Sequence, residues 1–344
     1  MRCWSVVFAA GVLAAACAPE CEPVPPGALG ALTPSEEAFL AEGGPSAPPA
    51  AFLEAEDGLG LAYADWLPEG APVAAMLFVH GSSAHGALYA ILGKHLAERG
   101  LVVRVIDLRG HGLSRCGAPG ECGDGSPARY LDDGVTFPGR VGDAADEHQL
   151  VRDLGLHLAA FRGAYAGLPT YLGGHSGGAG LVARAVETGG ARELAGLVLL
   201  APFNHADQPQ NEFDTWECGR VIGTSYARVS LGAVGDALRG NVHRYVLSLD
   251  KPEALTDPLD TLRYTYTMMR GLAVTDADTF HAALALPTLW IAARHDALLG
   301  LEPSRREYER LPQGAGFVVI DDASHVGVSW SPVTADAISA FVRR

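Results

Sequence analysis

Positive charge is scarce in this chain. Lys and Arg together number 25 against 40 Asp and Glu, a formal net charge of −15 over 344 residues. That balance excludes nucleic acid as a partner, because phosphate binding needs clustered Lys and Arg. An internal repeat is also missing, which removes solenoids. Neither Gly-x-Gly-x-x-Gly nor the phosphate-loop lysine occurs, and no paired Cys or His spacing suits zinc. No cofactor and no metal are therefore expected. What the chain does have is apolar content: 48% hydrophobic and 8% aromatic residues can bury a substantial core.

The first residues read as an address. "MRCWSVVFAAGVLAAAC" carries one charge at Arg2, an apolar stretch from Trp4 to Ala16 and small residues before Cys17. This is the layout of an export signal over 1–17, too short to span a membrane. The run before Cys17 resembles a bacterial lipoprotein signal, with Leu13 one place further from the cysteine than that pattern prefers. Two outcomes stay open: a lipidated Cys17 tethering the protein to the cell envelope, or ordinary cleavage and a secreted or periplasmic protein. Residues 18–49, rich in Pro, Ala and Gly, read as a linker with a short helix at "PSEEAFLAE". Of the six cysteines, four lie beyond Cys17. "CGAPGEC" makes Cys116–Cys122 the expected bridge, leaving Cys21 with Cys218.

From about residue 50 to 344 strands and helices alternate. "VAAMLFVH", "LVVRVIDL", "LPTYLGG", "LAGLVLLAP", "LPTLWIAA" and "GFVVIDD" are short apolar runs separated by amphipathic stretches such as "ALYAILGKHLAERG" and "DEHQLVRDLGLHLAAF". The pattern predicts an α/β fold, a mostly parallel sheet with helices on both faces. At about 203–285 the alternation stops and later resumes, as it would around an inserted helical lid. Within it, Tyr264, Tyr266, Met268 and Met269 either line an acyl pocket or form the small core of that lid.

"YLGGHSGGAG" places Ser176 on a strand-to-helix turn with Gly174 and Gly178 at the flanking positions of G-x-S-x-G. A turn that tight strains its central residue and leaves no room for neighbouring side chains. The serine would emerge at the carboxyl edge of the sheet, where ligands bind. A serine nucleophile needs a base, and the base needs an acceptor that fixes its tautomer. His325 and Asp296 both follow strand ends in the right chain order. His295, Asp257, Asp260 and Asp322 are neighbours for which surface or capping roles are expected. The amides of Gly177 and of Ser82, in "FVHGSSAHG", are candidates for binding the oxygen of an attacked carbonyl.

Taken together, "VHGSS", "DLRGHGLS" and "GHSGG" resemble the α/β-hydrolases, in particular the monoacylglycerol lipase and lysophospholipase branch often labelled serine aminopeptidase-like. The resemblance covers about 50–344. It implies an α/β-hydrolase fold, Ser176 as nucleophile, Asp296 as acid, His325 as base and Ser82 and Gly177 as oxyanion donors. It also implies a structural role for Asp107, Arg109 and His111. Two departures stand out: Ala293 replaces a glycine three places before the acid, and Arg115 to Ala145 is a long insert. The expected substrate is a small acyl ester. An aminopeptidase and a non-catalytic binding protein on the same fold are the alternatives.

Overall fold

The buried apolar runs assemble into one eight-stranded sheet. In the computed structural model the described residues are 46–115, 136–203, 242–248, 257–272, 277–296, 298–312 and 314–344, with short pieces at 2–3, 17–18, 33 and 36–38. Strands β1 (Ala51–Glu54), β2 (Gly60–Trp66), β3 (Ala74–Val79) and β4 (Leu101–Ile106) form one half of the sheet. The other half is β5 (Thr170–His175), β6 (Gly196–Leu200), β7 (Thr288–His295) and β8 (Gly314–Ser324). Their order across the sheet is β8-β7-β6-β5-β3-β4-β2-β1. β1, β2 and β4 pair antiparallel, and everything from β4 to β8 is parallel.

Burial explains this arrangement. β3, β4 and β6 are buried at every position, as strands covered on both faces must be. Along β3 the side chains alternate between two cores. Ala75, Leu77 and Val79 join residues of α2 (Gln149–Ala164), α3 (Gly177–Glu187), α4 (Tyr266–Leu272), α5 (Ala277–Ala283) and α6 (Leu301–Glu309). Ala74, Met76 and Phe78 join those of α1 (Ala90–Glu98) and α7 (Pro332–Val342). The helix expected from Ala87 begins as a 3-10 turn, Gly86–Tyr89, before α1.

The topology also fixes where ligands can bind. From β3 the chain moves to β4 on one side and later returns to β5 on the other, so the adjacent ends of β3 and β5 bound a switch-point crevice. The loops carrying Ser82 and Ser176 leave from those two ends.

Two regions differ in detail from the sequence reading. Where a helical lid is expected, the described residues contain an antiparallel pair, Tyr245–Ser248 with Arg263–Thr265, ahead of α4 and α5. The strand is locked by the Thr265 amide, which donates to the Gly142 carbonyl, while Tyr264 is buried. In the expected linker, 36–38 are helical as read from the sequence, but Glu36 is buried, with its carboxylate accepting from the Thr33 amide. Cys21, Cys116, Cys122 and Cys218 lie outside the described residues.

Candidate active site

The turn between β5 and α3 holds Ser176 at φ +52° and ψ −124°, a conformation that costs a non-glycine residue about 1–3 kcal/mol. Hydrogen bonds on both sides hold it there. The Ser176 amide donates to the Leu200 carbonyl (3.0 Å), and its own carbonyl accepts from the amides of Ala179 (3.0 Å) and Phe203 (3.1 Å). Close approach explains the flanking glycines. A β-carbon at Gly174 would lie 2.7 Å from the Gly178 carbonyl carbon, and one at Gly178 would lie 2.4 Å from the His80 carbonyl oxygen. Gly178→Ala is therefore expected to push α3 off the end of β3, costing at least about 2 kcal/mol, read as a lower urea midpoint.

Ser176, His325 and Asp296 meet at the ends of three strands. The Ser176 hydroxyl lies 2.9 Å from His325 Nε2, and His325 Nδ1 lies 2.8 Å from Asp296 Oδ2. The other carboxylate oxygen of Asp296 accepts from the amides of Leu298 and Leu299, each at 2.9 Å. Burial alone would raise the Asp296 pKa, but His325 and these two amides outweigh it and hold the carboxyl below its usual range. An ionised carboxylate can only accept, so Nδ1 of His325 carries the proton. Its Nε2 lone pair then faces the serine.

The β3 loop closes the site from the opposite side. A β-carbon on Gly81 would stand 3.1 Å from Ser176 Cβ. One on Gly177 would stand 2.6 Å from Ser82 Oγ and 3.7 Å from the Ser82 nitrogen. The two candidate oxyanion amides thus border the same small space. Neither donates to an acceptor among the described residues. All five residues singled out by the sequence are brought together.

The rival residues are not. His295 and Asp322 are exposed, while Asp257 pairs with His85 at 3.3 Å and its amide donates to Asp260. Tyr264 and Met268 are buried core residues, while Tyr266 and Met269 are half-buried. Asp107 accepts from the amides of Gly86 and Leu113, and Arg109 pairs with both Asp57 and Asp153. These contacts brace the loops around the site.

A family model described as serine aminopeptidase, S33, matches residues 70–327, three quarters of the chain and all five site residues. The chain belongs to this family. Among curated relatives, the human monoglyceride lipase is 29% identical over 198 residues, covering 56% of this chain and 54% of the lipase. The match thus spans about half of that relative's length. Solved structures with a similar fold include a soluble variant of the Saccharomyces cerevisiae monoglyceride lipase (TM-score 0.64, 14% identity, 87% of this chain and 96% of that one). A monoacylglycerol lipase from Paleococcus ferrophilus (TM-score 0.55, 21% identity, 82% and 98%) is a second. A Bacillus coagulans carboxyl esterase (0.60, 15%, 86% and 97%) is a third. At these identities the likeness establishes the α/β-hydrolase fold.

Sequence reading missed the buried histidines that this S33 chain places around the site. His175 Nε2 donates to the His325 carbonyl (2.8 Å), so its Nδ1 accepts from the Tyr89 hydroxyl (2.6 Å). Tyr89 in turn accepts from the Gly81 amide (2.9 Å). The only sequence signal was the position of His175 beside the nucleophile.

Burial sets the titration of these rings. It pushes the pKa of His175 down to about 3, with His325 adding to the effect, that of His157 down to about 3 and that of His111 down to about 4. Each ring is neutral when folded but takes a proton below about 6.5 when unfolded. Stability is therefore full above about pH 6.5 and is lost on acidification toward pH 3–4, by about 1.4 kcal/mol per pH unit per ring. His157 tests the sign, because neither ring nitrogen has a hydrogen-bond partner among the described residues. His157→Phe is expected to flatten the fall in urea midpoint between pH 6.5 and 5 while keeping stability at pH 7.5. An unchanged slope would assign the acid sensitivity to other groups.

Proposed function

We propose that the protein is a serine hydrolase cleaving carboxylic esters, such as monoacylglycerols, lysophospholipids or similar small acyl esters, through an acyl-enzyme. The observation that carries this reading is the unbroken hydrogen-bonded chain from Ser176 through His325 to Asp296, with two amides beside the serine that donate to no acceptor among the described residues. The relatives' names point to ester substrates in the same direction.

In this mechanism His325 Nε2 takes the hydroxyl proton as Ser176 Oγ attacks the ester carbon. The carbonyl oxygen becomes an oxyanion facing the amides of Ser82 and Gly177, which gain strength as its charge develops. The C–O bond to the alcohol then breaks, and the alcohol leaves with the proton from His325. Water, deprotonated by the same ring, releases the acid and restores Ser176. Asp296 keeps the ring in the tautomer both halves require.

Comparing p-nitrophenyl acyl esters with aminoacyl p-nitroanilides tests the reading. Ester turnover with slow anilide turnover supports it, whereas preferential anilide cleavage would make the protein an aminopeptidase. For the amino terminus we propose export, supported by the leader's layout, either with simple cleavage or with a lipidated Cys17 as the first mature residue. Intact mass of the mature protein distinguishes the two, and unreduced peptide mapping tests Cys116–Cys122.

A further inference from the structure

The backbone on both sides of Ser82 is held by buried rings. The Gly81 amide donates to the Tyr89 hydroxyl (2.9 Å), and the Gly81 carbonyl accepts from His80 Nδ1 (2.8 Å). On the far side, the Ser83 amide donates to the Tyr264 hydroxyl (2.6 Å). Tyr89 and His80 belong to the segments next to the loop. Tyr264 arrives from the hairpin in the insertion, 181 residues away in the chain.

Proton bookkeeping fixes the direction of this long-range arm. His111 Nδ1 faces the Arg109 carbonyl (2.9 Å), which can only accept, so Nδ1 carries the hydrogen. His111 Nε2 must then accept from the Tyr264 hydroxyl (3.0 Å), leaving the phenolic oxygen's lone pairs for the Ser83 amide. Both side chains are fully buried, so the His111–Tyr264 bond is sealed from water, while Ser83 is half-buried.

Ser83 is where such an arm matters. Its φ of +58° lies in the left-handed region, which a non-glycine residue occupies only when its surroundings impose it. The Ser82 amide sits in the preceding peptide, whose Gly81 carbonyl His80 holds, and it joins the Ser83 peptide through the Ser82 α-carbon, so fixing the Ser83 peptide restricts the turns left open to the Ser82 amide. The hairpin is itself latched to the body of the fold: the Thr265 hydroxyl donates to Asp143 (2.7 Å), and the Thr261 hydroxyl donates to the Gly110 carbonyl (3.0 Å).

We propose that Tyr264 is a positioning residue: its hydroxyl, aimed by His111, fixes the Ser83 peptide and so aims the Ser82 amide at the oxyanion. The insertion thereby holds the oxyanion loop in working geometry. This rests on the proposed function, in which the Ser82 amide binds that oxygen.

Tyr264→Phe tests it by removing one oxygen from a buried ring. On a p-nitrophenyl ester kcat is expected to fall about 10- to 100-fold with KM changed less than about twofold. Affinity for an alkyl trifluoromethyl ketone, to which Ser176 adds to place an oxyanion at the same amides, is expected to fall by the same factor. Tyr245→Phe is the control from the same hairpin, since that hydroxyl donates to the Val141 carbonyl; it is expected to behave as wild type. Unchanged kcat and ketone affinity in Tyr264→Phe would overturn the proposal, as would a fall in kcat without a fall in ketone affinity. Should Tyr264→Phe not fold, His111→Phe removes the acceptor that aims the hydroxyl. The paired losses then support the proposal, and wild-type values for both overturn it. Wild-type protein that neither turns over ester nor binds the ketone would instead overturn the proposed function.

Discussion

Ser176→Ala is expected to lower kcat/KM for esters by about three orders of magnitude or more while leaving the fold intact. The size follows from what the hydroxyl does. It supplies the bond-forming oxygen, and nothing else in the turn can, because its neighbours Gly174, Gly177 and Gly178 have no side chains. Residual rate would come from the amides of Ser82 and Gly177 acting on attacking water. Stability should hold or rise slightly, since the backbone bonds that pin residue 176 involve only its amide and carbonyl. Near-normal turnover in this variant would remove Ser176 from the mechanism.

Asp296→Asn is expected to cost about four orders of magnitude in kcat, for a reason visible in its hydrogen bonds. Two amides, from Leu298 and Leu299, donate to one oxygen of Asp296 and require an acceptor there. An asparagine must therefore point its carbonyl at them and its NH2 group at His325. Nδ1 would then have to accept, the ring proton would move to Nε2, and the base would face Ser176 with no lone pair. Asp296→Ala should lose less, because it leaves the tautomer free to choose. Circular dichroism and the urea midpoint would separate this loss from unfolding. Equal activity in the Asn variant and the wild type would assign the acid elsewhere.

The central part of this site was legible in the sequence because its constraints are local. The glycines at 174 and 178 are required by contacts within four residues of Ser176 and with the adjoining strand end, so they left a readable pattern. Asp296 and His325 follow β7 and β8, whose apolar runs are unambiguous, and their chain order matched the chemistry. Ala293, a departure from the usual glycine, is simply a buried residue of β7 and does not displace Asp296.

What escaped the sequence depends on contacts between distant segments. Tyr89 at the foot of α1 and Tyr264 in the insertion look like ordinary core aromatics, and periodicity cannot report where a hydroxyl points. Their role needs the Gly81 and Ser83 amides, and in Tyr264's case a fold that joins positions 181 residues apart. The strand pair inside the insertion was hidden for a related reason: Arg263–Thr265 is three residues long, too short for an alternation to register. Glu36 gave no sign either, since an acidic residue in a Pro- and Ala-rich stretch ordinarily faces water.

On the proposed function, ester cleavage passes through an acyl group on Ser176. Rapid acid quench of the enzyme turning over a p-nitrophenyl ester, followed by peptide mass mapping, tests it most directly. The prediction is a mass increase equal to the acyl group on the peptide containing Ser176, absent from the Ser176→Ala variant. Turnover with no acyl adduct, or with the adduct on another residue, would contradict it.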